Sequence, residues 1–136
     1  LPAEQRSTDI TSSIELGLDF LLEQHSLIDA DYPFCGKIHP LWFRLNFPLF
    51  YQADILFVLR VLAELGALGR PGAQAALDWL VSRRKANGRW RGSSPFRRRT
   101  WGVLADREDT DRWVSLHAAI VLREAQPPVA PSAEGV

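Results

Sequence analysis

Asp54-Ile-Leu-Phe-Val-Leu-Arg-Val-Leu-Ala-Glu-Leu65 is apolar almost all round, interrupted only by Arg60 and Glu64. A helix that is hydrophobic on every side has to be covered on every side, so this stretch reads as the central helix of an all-α core. Gly66 supplies a natural left-handed stop. The start is open between two residues. Asp54 is one N-cap; Asn46 is the other, with Pro48 in the first turn of a longer helix.

Three further helices follow on working outward. Toward the N-terminus, Ser12 and Glu15 form a capping-box pattern, and Ile14, Leu18, Leu21 and Leu22 make an apolar stripe over 13–25. Toward the C-terminus, Gly69-Arg70-Pro71-Gly72 precedes a helix with Ala73, Ala76, Leu77 and Leu80 on one face, expected to stop near Asn87-Gly88. The last helix is expected to begin around Asp109-Thr110-Asp111. It carries Trp113, Leu116 and Ile120 and ends before Pro127-Pro128. No strand alternation persists anywhere. The segments 27–45 and 88–108 lack a period and are long for connections in a compact domain.

Composition narrows the function classes. The chain has 136 residues, 46% of them hydrophobic, with 16 basic residues against 16 acidic ones. That excludes a disordered tail, a collagen-like chain and a highly charged nucleic-acid arm. The neutral total hides an asymmetry, because residues 1–68 carry a net −5 and residues 69–136 a net +5. The longest apolar run, Ile55–Leu59, is far short of the roughly 20 residues that span a bilayer. No membrane span is therefore expected, and with no leader pattern in 1–13 the expected location is cytoplasmic. One cysteine, Cys35, rules out a disulfide framework, and no Cys/His set has zinc-site spacing, so no metal or cofactor is implied. The chain begins with Leu and contains no Met, which suggests a piece of something longer.

The sequence also repeats. Leu18-Asp19-Phe20-Leu21 aligns with Leu77-Asp78-Trp79-Leu80 at an offset of 59, and Asp54, Val58, Leu62 and Leu65 align with Asp111, Ser115, Ala119 and Leu122 at an offset of 57. The expected organisation is one domain over 1–125, with a first unit over about 13–66 and a second over about 71–125. Residues 126–136 form a Pro/Ala/Ser-rich flexible tail. Each unit pairs an amphipathic helix with a drier one, which only stacking of hairpins can cover.

Within the second unit, Trp79-Leu80, Arg84 and Gly88-x-Trp90 resemble the QW repeat of the squalene/hopene cyclase and protein prenyltransferase superfamily, with Arg84 where that repeat carries Gln. The first unit has Phe20-Leu21 and His25 at the corresponding positions, and no Gly-x-Trp. The segment from Trp42-Phe43-Arg44-Leu45-Asn46-Phe47-Pro48 through Tyr51 to Asp54 looks like the lead-in to an inner helix in bacterial members. The resemblance implies an arc of an α/α toroid: outer and inner rings of helices around a hydrophobic cavity. Two hairpins would leave its inner helices in need of further repeats or a second copy.

Candidate site residues can each be read in two ways. Class II cyclases of that superfamily use an Asp-x-Asp-Asp acid; Glu108-Asp109-Thr110-Asp111 holds only Asp-x-Asp, and at a helix start Asp109 and Asp111 also read as caps. Cys35-x3-His39 is a weak echo of a prenyltransferase metal set. Asp54 reads either as an N-cap or as a cavity acid needing a partner such as Arg44. His117 reads as a core histidine. Trp42, Phe43, Phe47, Phe50 and Tyr51 concentrate aromatic faces that could stabilise a carbocation or simply fill a core. Eight basic residues lie within 83–99, including Arg97, Arg98 and Arg99. They suit packing against an acidic unit, or an anionic small molecule; overall neutrality disfavours nucleic acid.

The function expected is binding of a hydrophobic, isoprenoid-type ligand between the inner helices, with Trp42, Phe47, Tyr51, Asp54, Arg97, Arg98 and Arg99 around it. No complete catalytic motif supports turnover. The alternative is a non-catalytic interaction or oligomerisation module that uses the apolar helices and the basic loop, in a homo-oligomer or with missing repeats.

Overall fold

A computed structural model describes residues 2–33, 37–99 and 106–126. Among these the protein is all-α, with four α-helices: α1 (Thr8–Asp19), α2 (Ile55–Glu64), α3 (Pro71–Ser82) and α4 (Arg107–Glu124). Short 3-10 turns lie at Ala3–Gln5 and Arg97–Arg99, and α1 continues into a π-helical turn over Phe20–Gln24. The expected tail beyond Gln126 lies outside the described residues.

The core is built around α2. Ile55, Leu59 and Leu62 are fully buried, meeting Ala73, Ala76, Leu77 and Leu80 of α3 and Val114, Ala118 and Val121 of α4 in one cluster. Burying each large aliphatic chain contributes about 2 kcal/mol. Asp54 is the N-cap, its side chain accepting the Phe57 N–H at 2.8 Å; the longer helix from Asn46 does not form. At the other end Gly66 takes φ 68°, and its N–H bonds Ala63 O while the Ala67 N–H bonds Leu62 O. These two bonds satisfy carbonyls that would otherwise be left free, and they fix the turn into α3. Pro71 occupies the first turn of α3, where its missing N–H has no partner to lose.

Four sequence expectations need correction. Helix α1 starts at Thr8, capped by Ser7 accepting the Ile10 N–H at 3.4 Å; Ser12 lies inside it. Helix α3 stops at Ser82, and Asn87-Gly88 belong instead to a separate tight turn closed by the Lys85 N–H on Arg89 O. Helix α4 starts at Arg107 with Asp106 as its cap, so Asp109 and Asp111 are helical residues and not caps. Helix α2 is also not covered on every side, since Phe57 and Glu64 are exposed.

The two long connections are tied together. Asn46 and Ser93 form a parallel bridge, with the Phe47 N–H on Ser93 O at 2.8 Å and the Ser93 N–H on Leu45 O at 3.0 Å. Leu45 is buried with φ 47°, a conformation that costs a non-glycine residue about 1–3 kcal/mol and persists because the bridge and the core hold it. Both α2 and α4 begin beside this bridge and pack on each other, so they run in the same direction.

Candidate functional site

Each first helix is clasped by an aromatic side chain further along the chain. The Tyr32 hydroxyl donates to Leu21 O at 3.4 Å, and the His25 ring packs 5.4 Å from the Tyr32 ring. The Trp90 indole N–H donates to Leu80 O at 2.7 Å, and the Arg84 guanidinium lies 5.5 Å over its ring. Burial, reinforced by the Asp31 charge, pushes the Tyr32 phenol up to about 12. Trp42, grouped in the sequence with ligand-facing aromatics, instead donates its indole N–H to Leu27 O at 2.8 Å and packs against the core.

Two carboxylates fasten the connections to the drier helices. Asp54 is completely buried; its Oδ2 accepts both the backbone N–H and the side-chain amide of Asn46, and its Oδ1 caps α2. Burial pushes its carboxyl above the usual range, and the donors of Asn46 and Phe57 pull it back. Arg44 is not its partner. Asp111 Oδ1 accepts the Gly92 N–H at 2.7 Å, and its Oδ2 lies 3.4 Å from Lys85 Nζ. A Cβ at Gly92 would lie 2.5 Å from the Thr110 side chain, so the approach of this loop to α4 requires glycine. Asp109 pairs with Arg112 on the surface. Neither Asp54 nor the 108–111 string forms a cluster of carboxylates able to share a proton.

Between α2 and α4 lies an open groove of about 420 Å³, bordered by Arg60, Ala63, Glu64, Leu116, His117, Ile120 and Glu124. Leu116, Ile120, Trp113 and Phe57 are exposed hydrophobics. Phe47 stacks on Trp113 at 5.3 Å, with His117 at 6.2 Å from Phe47. His117 therefore faces the groove, half-buried, and not the core; burial and the nearby Arg60 charge hold its imidazole below the usual value. Periodicity on α4 alone carried the signal for this face, because Trp113, Leu116 and Ile120 fall off the buried line of Val114, Ala118 and Val121.

The other expected ligand residues lie apart from this groove. Tyr51, 88% exposed, borders a shallow hollow of about 280 Å³ with Phe50, Phe96 and Arg99. Arg97 reaches the Thr110 hydroxyl at 3.5 Å. The Arg98 side chain and Cys35 lie outside the described residues. Among the described residues no three His, Cys, Asp or Glu side chains gather as a metal site, and no helix is long and apolar enough to cross a membrane.

A second cleft, of about 450 Å³, was not anticipated. Phe43, Arg44 and Leu45 line one side and Arg91, Gly92 and Ser93 the other, with Trp79 and Arg83 from α3. Arg83 stacks over Trp79 at 5.1 Å, and Phe43 packs against Trp79 at 5.3 Å. The i,i+4 spacing of Trp79 and Arg83 is the one local clue to it. The ion pair that joins the acidic and basic halves comes from elsewhere: Arg70 meets Glu15, Asp19 at 3.0 Å and Glu23 at 3.7 Å. Compared with known proteins, the chain matches no family model, no curated protein and no solved structure.

Proposed function

We propose that the chain is an arc of an α/α-toroid-like array, similar to the terpenoid cyclase and protein prenyltransferase superfamily, and that it binds a hydrophobic ligand of isoprenoid type along the α2/α4 groove. The observation that carries this reading is the groove itself. Two helices running in the same direction leave Trp113, Leu116 and Ile120 exposed beside the Phe47–Trp113 stack. An apolar chain laid there removes that surface from water at about 25 cal/mol per Å². The repeat also gains support from spacing, since Leu21 and Leu80, and His25 and Arg84, play matched parts 59 residues apart. The groove offers binding and orientation. Glu64, His117 and Glu124 border it and, among the described residues, do not gather as a metal site.

Farnesol is a suitable probe, read by native mass spectrometry and tryptophan fluorescence. Binding with Kd near about 10 μM is expected, weakened at least about tenfold by Leu116→Asp or Ile120→Asp. Both side chains are exposed, so both variants should fold. Absence of binding at about 1 mM rejects the ligand reading. The second reading, an oligomerisation module, draws on the same exposed face: a dimer in light scattering that the two Asp variants dissociate, with no farnesol bound, would establish it in place of the first.

A further inference from the structure

The geometry points to the cleft between the two bridged connections as a binding site for the phosphate or diphosphate group of a soluble organic ligand. It shares no residue with the α2/α4 groove and does not depend on what that groove binds. Its construction follows from the bridge. The Asn46–Ser93 bridge holds the two connections side by side, and Arg44 from one and Arg91 from the other line the same cleft. Arg83 adds a third cation from the end of α3, fixed by its stack on Trp79. No described carboxylate lies within ion-pairing distance of these three arginines. Asp111, which holds the Gly92 N–H, is answered by Lys85.

Three arginines lining one concave surface concentrate a positive field in the cleft. Their planar forks match phosphate oxygens in pairs, which a lysine cluster would not do. The Ser93 hydroxyl, at the floor, makes no hydrogen bond to a described residue and adds a neutral donor. Phe43 and Trp79 provide an apolar wall for whatever carries the phosphate. At about 450 Å³ the cleft is the size of an ordinary small-molecule site.

The test is calorimetric titration of the full chain with inorganic pyrophosphate at about 0.05 M salt, set beside Arg44→Ala, Arg83→Ala, Arg91→Ala and the remote control Arg112→Ala. Saturable binding with Kd below about 1 mM is expected, weakened about tenfold by each of the first three variants and unchanged in the control. Without pyrophosphate, Arg44→Ala and Arg91→Ala should be as heat-stable as the wild type, because both side chains are exposed and neither pairs with a described carboxylate; this separates loss of the site from loss of the fold. Several results would overturn the assignment. One is no saturation at about 5 mM pyrophosphate; another is equal weakening by Arg112→Ala, which means diffuse charge. Binding only to vesicles containing phosphatidic acid moves the site to a membrane surface. Self-association abolished by the three variants, with no pyrophosphate bound, makes the arginines a contact for the acidic half of another copy.

Discussion

Tyr32 and Trp90 perform the same task at two places in the chain, and they perform it unequally. Each reaches back to a carbonyl near the end of the preceding helix, and each is covered by the side chain that follows that carbonyl by four residues. Trp90 is deeply buried and its hydrogen bond is short; Tyr32 is half-buried and its bond, at 3.4 Å, is at the edge of what counts as one. Arg84 also bonds Gly88 O, closing the turn that delivers Trp90, whereas His25 Nδ1 makes no hydrogen bond and only approaches Asp31 at 3.5 Å. The second clasp is a closed unit of side chain, turn and helix end. The first depends on a chain of edge-on and tilted ring contacts through Phe20, His25, Tyr32 and Trp42.

This inequality sets an order of effects. Trp90→Ala should lower stability by about 4 kcal/mol in urea unfolding, and Tyr32→Ala by about 2 kcal/mol. Equal losses would mean that the first clasp carries as much as the second. Removing only the polar tip sharpens the contrast. Trp90→Phe removes the indole donor but leaves Leu80 O its bond from the Arg83 N–H, and should cost about 1 kcal/mol, while Tyr32→Phe should stay near 0.5 kcal/mol. Arg84→Ala, an exposed cation over a ring, should cost about 0.5 kcal/mol, and His25→Ala more, because the first clasp depends on its ring contacts. Tyr32 can also be titrated directly. In a Tyr51→Phe variant, phenolate absorbance should appear with a midpoint near 12 and not near 10.0. The sign follows: folding raises this pKa, so the stability Tyr32 contributes is present below pH 10 and is lost as pH climbs through about 12. A midpoint at the ordinary value would place the phenol in water and dissolve the first clasp.

How far the sequence could be read depended on how local the deciding chemistry was. The end of α2 was plain, because Gly66 and the apolar run before it lie within one turn of each other. The start of α2 became decidable only once Asp54 was seen to bond Asn46 as well as Phe57. The start of α1 misled because Ser12-x-x-Glu15 has capping-box spacing, yet Ile10 continues the Ile14–Leu18 line upstream and Ser7 precedes it. The missing Gly-x-Trp in the first unit concealed that a tyrosine does the equivalent work from a different loop. The arginine cleft was out of reach for another reason. Arg44 and Arg91 come to one cleft because the connections that carry them are bridged at Asn46 and Ser93, a pairing that no periodicity announces.

The π-helical turn over Phe20–Gln24 has a consequence for chain length. Its one buried residue is Leu22, four after Leu18 of α1, and the winding ends at Gln24 because His25 is extended. The buried Leu27 lies beyond the helix, in the turn that follows. Glu23 and Gln24 are exposed and look dispensable, but deleting either would shorten the link between the buried Leu22 and the buried Leu27 by one residue. Leu27 would swing toward solvent, and with it the carbonyl that receives the Trp42 indole. At this point the chain tolerates a change of residue more readily than a change of count.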